Sequence, residues 1–182
     1  MIPPPTTRQL AALDALVTRA ARLPGVEAVL LIGSLAAGRA DAMSDVDAIV
    51  IVDRSSFAAA HRQRHDLHAD VVPACWDHPA EPEADRPMEV AAHKWIDESG
   101  VLVEVLLGTV AGPLRVAEPA RVVAGDPAVL TRVRRRPPVT RSEMTGATHP
   151  IEAAYDLLKD AVRRSAQRPE APDPKRDQDG SR

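Results

Sequence analysis

Asp45 and Asp47 carry the strongest chemical signal in the chain. They sit two residues apart at the head of an apolar run, Ala48-Ile49-Val50-Ile51-Val52, whose β-branched content reads as a strand. Alternate residues of a strand share a face, so the two carboxylates project together and Val46 turns the other way. Neighbouring carboxylates repel unless a cation lies between them. Hard oxygen donors favour Mg²⁺, which takes one or two carboxylates together with substrate phosphates. Upstream, after Leu30-Leu31-Ile32, stands Gly33-Ser34. Glycine allows a backbone to approach a ligand closely and tolerates positive φ. The Ser34 hydroxyl and the amides that follow can hold phosphate oxygens if Leu35-Ala36-Ala37 begins a helix. Ser44 adjoins the acids, and Arg39 follows Gly38 near the cradle, either as a triphosphate contact or as a surface arginine. Gly-Ser and Asp-x-Asp are each commonplace alone. In this order, between two apolar runs, they indicate chemistry on a nucleoside triphosphate.

Residues 28–53 resemble the signature of the DNA polymerase β-like nucleotidyltransferase superfamily. The match to its small bacterial members, antibiotic-modifying enzymes and minimal nucleotidyltransferases, rests on Gly33, Ser34, Gly38, Ser44, Asp45 and Asp47. The resemblance implies a mixed α/β core and two divalent metal ions, expected to be Mg²⁺. It also implies transfer of a nucleotidyl group from a triphosphate, with ATP the expected donor, onto a hydroxyl. A third carboxylate on a neighbouring strand is implied as a metal ligand or as the base. Glu104 is the first choice, because it stands alone within the apolar run 100–108. An acid inside an apolar strand is costly to bury unless paired or metal-bound. Asp70, ahead of Val71-Val72, is the alternative, with a surface strand-start acid as its plainer reading.

The elements that must position these groups are legible in outline. Thr6 or Thr7 can cap a helix reaching about Arg22, with Leu10, Leu13, Leu16, Val17 and Ala20 on one face. Pro24-Gly25 ends it. Strands are expected over 26–32, 46–52, 69–75 and 101–107, a strand and turn over 88–97, and a short strand within 119–125. Helices are expected from Ser55 or Ser56 to about His65, over 127–134, and over 150–165. The acidic, Pro-rich stretch 77–87 reads as a loop. The alternation predicts an α/β (α+β) fold with helices on one face of the sheet and a short C-terminal helical addition, and the resemblance implies that the sheet is the mixed β-sheet of a nucleotidyltransferase core. Domain bounds follow as 1–126 for the core, 127–167 for the addition, and 168–182 for a Pro-, Asp- and Arg-rich tail expected to be disordered.

With 182 residues, one domain and a small addition are expected. Aromatics are limited to Phe57, Trp76, Trp95 and Tyr155, so aliphatic residues must fill the core. A net charge of −3 argues against non-specific nucleic-acid binding as the main role. The lone Cys75 excludes an internal disulfide and reads as a buried thiol in a reducing, cytoplasmic setting. Neither a signal peptide nor a membrane-spanning run is expected.

Other residues have two readings each. Lys94 could reach a phosphate and Trp95 could stack on a base, but a solvated lysine beside a core tryptophan is the favoured reading of His93-Lys94-Trp95. His61, His65 and His68 suggest a metal cluster, yet no further cysteine or acid completes a zinc site at suitable spacing, so none is expected. Tyr155 and Lys159 share a helix face and could line a substrate site or pack on the core. Arg134-Arg135-Arg136 reads as a solvated linker, with RNA contact the alternative. Three function classes follow. The first is nucleotidyl transfer to a small acceptor such as an aminoglycoside-like antibiotic. The second is a minimal nucleotidyltransferase of a toxin–antitoxin type, acting on a protein or a tRNA. The third is a nucleotide-binding regulatory module without catalysis. The intact acid pair disfavours the third, and a homodimer could complete a pocket.

Overall fold

α1 (Thr7–Ala20) buries Gln9, Ala12, Leu13, Leu16 and Ala20 at helical spacing. Leu10, expected on that face, is 47% exposed, and the polar Gln9 takes its place inside. The computed structural model describes residues 7–68, 74–78, 90–137 and 150–166. The chain divides into two compact units, 1–147 and 148–182.

Within the first unit, a mixed sheet of six strands runs β3-β4-β5-β2-β1-β7. Its members are β1 (Val26–Leu31), β2 (Val46–Val52), β3 (Ala74–His78), β4 (Val90–Ile96), β5 (Leu102–Gly108) and β7 (Arg121–Gly125). β2 lies centrally, antiparallel to β1 and parallel to β5. β4 runs antiparallel to β5 and to β3. The expected strands at 26–32, 46–52 and 101–107 form almost as read. β3 covers Ala74–His78, so Asp77 and His78 are strand rather than loop, and 69–73 of the strand expected over 69–75 lie outside the described residues. Asp70 and the tail 168–182 lie outside the described residues, as do the side chains of β3, Cys75 among them.

Period-two alternation gives the sheet two unlike faces. Val46, Ala48, Val50 and Val52 of β2 join Val103, Val105 and Leu107 of β5 against α1, α3 (Phe57–Arg62) and a 3₁₀ turn, Arg64–His68. The helix read from Ser56 to His65 therefore ends at Arg62 and tightens into that turn. On the opposite face Ile49 and Ile51 pack with Leu114, Val116, Val129 and Val133. Val129 opens and Val133 follows α4 (Val129–Arg132), a single turn rather than a helix over 127–134. β6 (Arg115–Ala117) pairs in parallel with β8 (Arg134–Arg136), so the supposed basic linker is a strand. The second unit contributes α5 (Pro150–Ala166), close to its expected bounds.

Candidate active site

The β2–β5 register sets the centre of the site. Asp47 and Glu104 are Cα partners across the parallel pair. Adjacent strands lie about 4.8 Å apart, and partner side chains leave the sheet on the same side. Both acids are half-buried. They occupy the face opposite α1, at the polar end of a strip that continues into Ile49, Ile51 and Leu106. The apolar end is covered by Leu114, Val116 and Val129.

A third residue stands in the same row. Lys94 of β4 is the cross-strand partner of Glu104. Its Nζ lies 2.9 Å from Glu104 Oε2, and its side chain is only 3% exposed against 28% for Glu104. Lys94 is therefore not the solvated lysine expected from sequence. Trp95, its neighbour, turns to the other face and is buried with α1, so it stands away from the acids.

The Gly-Ser turn lies directly against Asp47. Ile32 N donates to the Asp47 carbonyl at 2.9 Å. Gly33 then adopts φ +68°, and a Cβ built there would fall 2.1 Å from Asp47 Oδ2. Only glycine fits, for both conformational and steric reasons. Gly33–Ala36 forms one helical turn, α2, which places Ser34, half-buried, in its first turn. Arg39 is exposed, and its amide donates to Ser34 O at 2.9 Å.

Asp45 is half-buried at the end of the loop entering β2, directly after the buried Ser44. Ser44 Oγ donates to Asp41 Oδ1 and accepts from Asp41 N, each at 2.9 Å. Gln9, fully buried, donates from Nε2 to Ser44 O at 2.6 Å and to Asp41 O at 2.8 Å. Ser44 is thus engaged inside the loop that delivers Asp45, and α1 holds that loop through Gln9. Gln9 and Asp41 were missed in sequence. The available signal was a glutamine on the apolar face of a helix.

Tyr155 and Lys159 belong to the second unit and share a face of α5, as their spacing predicts. Lys159 Nζ lies 5.2 Å from the Tyr155 ring centroid and 3.2 Å from Asp156 Oδ1. A cavity of about 340 Å³ opens on the helix-covered face, lined by Arg8, Leu16, Trp95 and Asp97 among others. It lies on the wrong side of the sheet to serve Asp47 and Glu104. No helix among the described residues is long and apolar enough to cross a membrane.

A family model described as the nucleotidyltransferase domain matches residues 13–106, just over half of the 182-residue chain. The match spans Gly33, Ser34, Asp45, Asp47, Lys94 and Glu104. No curated protein matches the chain.

Proposed function

The chain belongs to the nucleotidyltransferase domain family, and from that premise we propose that it moves a nucleoside monophosphate from a triphosphate, ATP by preference, onto an acceptor hydroxyl. The observation that carries this reading is the alignment of Asp47 with Glu104 across β2 and β5, under a glycine turn that leaves room for nothing larger.

The donor set suits Mg²⁺. Asp45, Asp47 and Glu104 offer hard carboxylate oxygens, and the space a Cβ would fill at Gly33 keeps the Asp47 carboxylate accessible. These three acids would hold two ions. Bound there, the ions would neutralise charge on the attacking and leaving oxygens. The chain's own groups do the rest. Gly33 and Ser34 grip the outer phosphates, with Arg39 as an exposed cation beside them. Lys94 holds Glu104 through Oε2, which leaves Oε1 to act as the base. Glu104 takes the hydroxyl proton as the acceptor oxygen attacks the α-phosphorus. The new P–O bond forms as the bond to the bridging oxygen breaks, and pyrophosphate leaves.

We take the acceptor to be a small cationic molecule of the aminoglycoside-like kind, in a reducing cytoplasmic setting supported by the single cysteine. A tRNA acceptor is a second reading, favoured by one observation. Exposed Arg115 and Arg134 are direct partners across the β6–β8 pair. Like charges placed opposite each other destabilise a sheet, and an anionic partner would relieve them.

The test is transfer of α-labelled nucleotide, triphosphate by triphosphate, to aminoglycosides and to tRNA. Asp47→Asn should reduce transfer by at least roughly a hundredfold, the scale of one electrostatic group at a reacting centre. Its melting temperature should stay level or rise in the absence of metal. Full activity in Asp47→Asn would remove the assignment.

A further inference from the structure

We propose that His65, His68 and His93 form a second metal site, selective for a zinc-type divalent ion, on the sheet face opposite the acids. His65 and His68 lie three apart in the 3₁₀ turn Arg64–His68. A 3₁₀ helix has three residues per turn, so the two imidazoles leave from the same side. His93 comes from β4. It pairs with Val105 and alternates with Lys94, so it faces the helix layer and is 1% exposed. One nitrogen of each ring lies within 4.8 Å of the other two. His65 Nδ1 and His68 Nε2 are 3.4 Å apart. Two nitrogens on one tetrahedral zinc, each about 2.0–2.1 Å from the metal, stand about 3.3 Å apart. The pair is therefore already at ligand spacing, and the third needs only a small side-chain adjustment.

Ring packing alone does not account for this convergence. His68 and His93 each lie 5.6 Å from the Trp95 ring, and His65 meets His93 edge-on at 5.0 Å and 89°. Stacking on a tryptophan satisfies ring faces only. At 3.4 Å the His65 and His68 nitrogens are also within hydrogen-bond reach of each other, but that contact does not account for the buried His93 nitrogen converging on both. The sequence reading put His61 in the cluster, but His61 stacks on Phe57 instead, with centroids 6.0 Å apart. His93, distant in sequence, takes its place. His65 is exposed, which gives the ion a route in and leaves a fourth position to water. Imidazoles select zinc, copper and nickel, whereas carboxylates select magnesium. The two sites therefore take different ions. The bound ion would clamp the 3₁₀ turn onto β4.

Untagged full-length protein, stripped with a chelator, is titrated with Zn²⁺ alone, and bound metal is counted after gel filtration. Co²⁺ serves as the spectroscopic probe for tetrahedral nitrogen ligation. The expected result is one zinc per chain, a rise in melting temperature, and visible Co²⁺ absorption. All three should disappear in His65→Ala and in His68→Ala, and persist in Asp45→Ala. His65 is exposed, so its truncation leaves the core intact and keeps the test valid if a His93 variant misfolds. Absence of stoichiometric zinc in the wild-type protein, or equal binding by His65→Ala, overturns the proposal. Loss of the zinc in Asp45→Ala would also overturn it by moving the ion to the acids.

Discussion

Lys94 and Glu104 form an ion pair of unequal partners: the ammonium side chain is 3% exposed and the carboxylate side chain 28%. Removing one partner therefore has a different consequence from removing the other. Glu104→Ala takes this carboxylate from a buried cation and should destabilise the fold by about 1–3 kcal/mol. Lys94→Met leaves an acid that water can reach and should cost about 1 kcal/mol or less. Urea unfolding of both variants and the double mutant checks the order. The double mutant should resemble Lys94→Met, and equal losses in the two single mutants would show that the asymmetry has no energetic weight.

Gly33→Ala should be damaging at a position with no enzymatic group of its own. The new methyl meets Asp47 Oδ2 at 2.1 Å, and the backbone must hold φ +68°. Left-handed backbone alone costs roughly 1–2 kcal/mol for a residue with a Cβ. The thermal shift given by Mg²⁺ and a triphosphate should fall more steeply than stability itself, because the clash displaces the carboxylate. A variant with unchanged nucleotide response would show that the turn can move aside freely.

Gln9→Ala should act on the site from a distance. It removes two donations to the carbonyls of Asp41 and Ser44 and leaves those buried or half-buried groups to find other partners. A loss of about 1–3 kcal/mol is expected. The loop entering Asp45 should loosen with it. Amide exchange at Asp41, Met43 and Ser44 is the direct measurement, with faster exchange in the variant expected and unchanged exchange counting against the anchor.

Asp53 gives the fold a defined acid sensitivity. Hydrogen bonds from Ser55 and then Ser56 hold its carboxyl below the ordinary 3.8. Ser55 Oγ donates to Oδ1 at 2.5 Å and Ser56 N at 3.0 Å, closing the turn that leads into α3. A lowered folded-state value stabilises above the unfolded value, and that stability is lost as pH falls through the folded one. Asp53→Asn should therefore melt below wild type near neutrality, with the gap closing below about pH 4. A gap that stays constant with pH would show that the charge contributes nothing.

The parts of the site that sequence revealed are those written locally. Gly33-Ser34 and Asp45-x-Asp47 lie within fifteen residues, and the alternation of β2 alone puts Asp47 opposite Val46 and Ala48. Glu104 stood out as a candidate because an acid within an apolar strand is conspicuous. What escaped depends on register between distant strands. Lys94 looks like a surface lysine until β4 is set against β5, and His93 meets His65 and His68 only once the 3₁₀ turn is laid on the sheet. Leu10 and Gln9 were misplaced because hydrophobic periodicity does not see two carbonyls waiting for a donor. Arg134–Arg136 was read as a linker because its charges hide a backbone paired with β6.

β4 carries two unlike groups on consecutive residues, His93 inward to the helix layer and Lys94 outward to the acids. Strand parity ties them together, since a slip of one residue exchanges the faces of every side chain. An insertion or deletion within β4 would thrust an imidazole among the carboxylates and an ammonium beneath α1 in a single event. The parity of β4 thus serves both faces of the sheet at once, and a change of length within its seven residues would disturb both together.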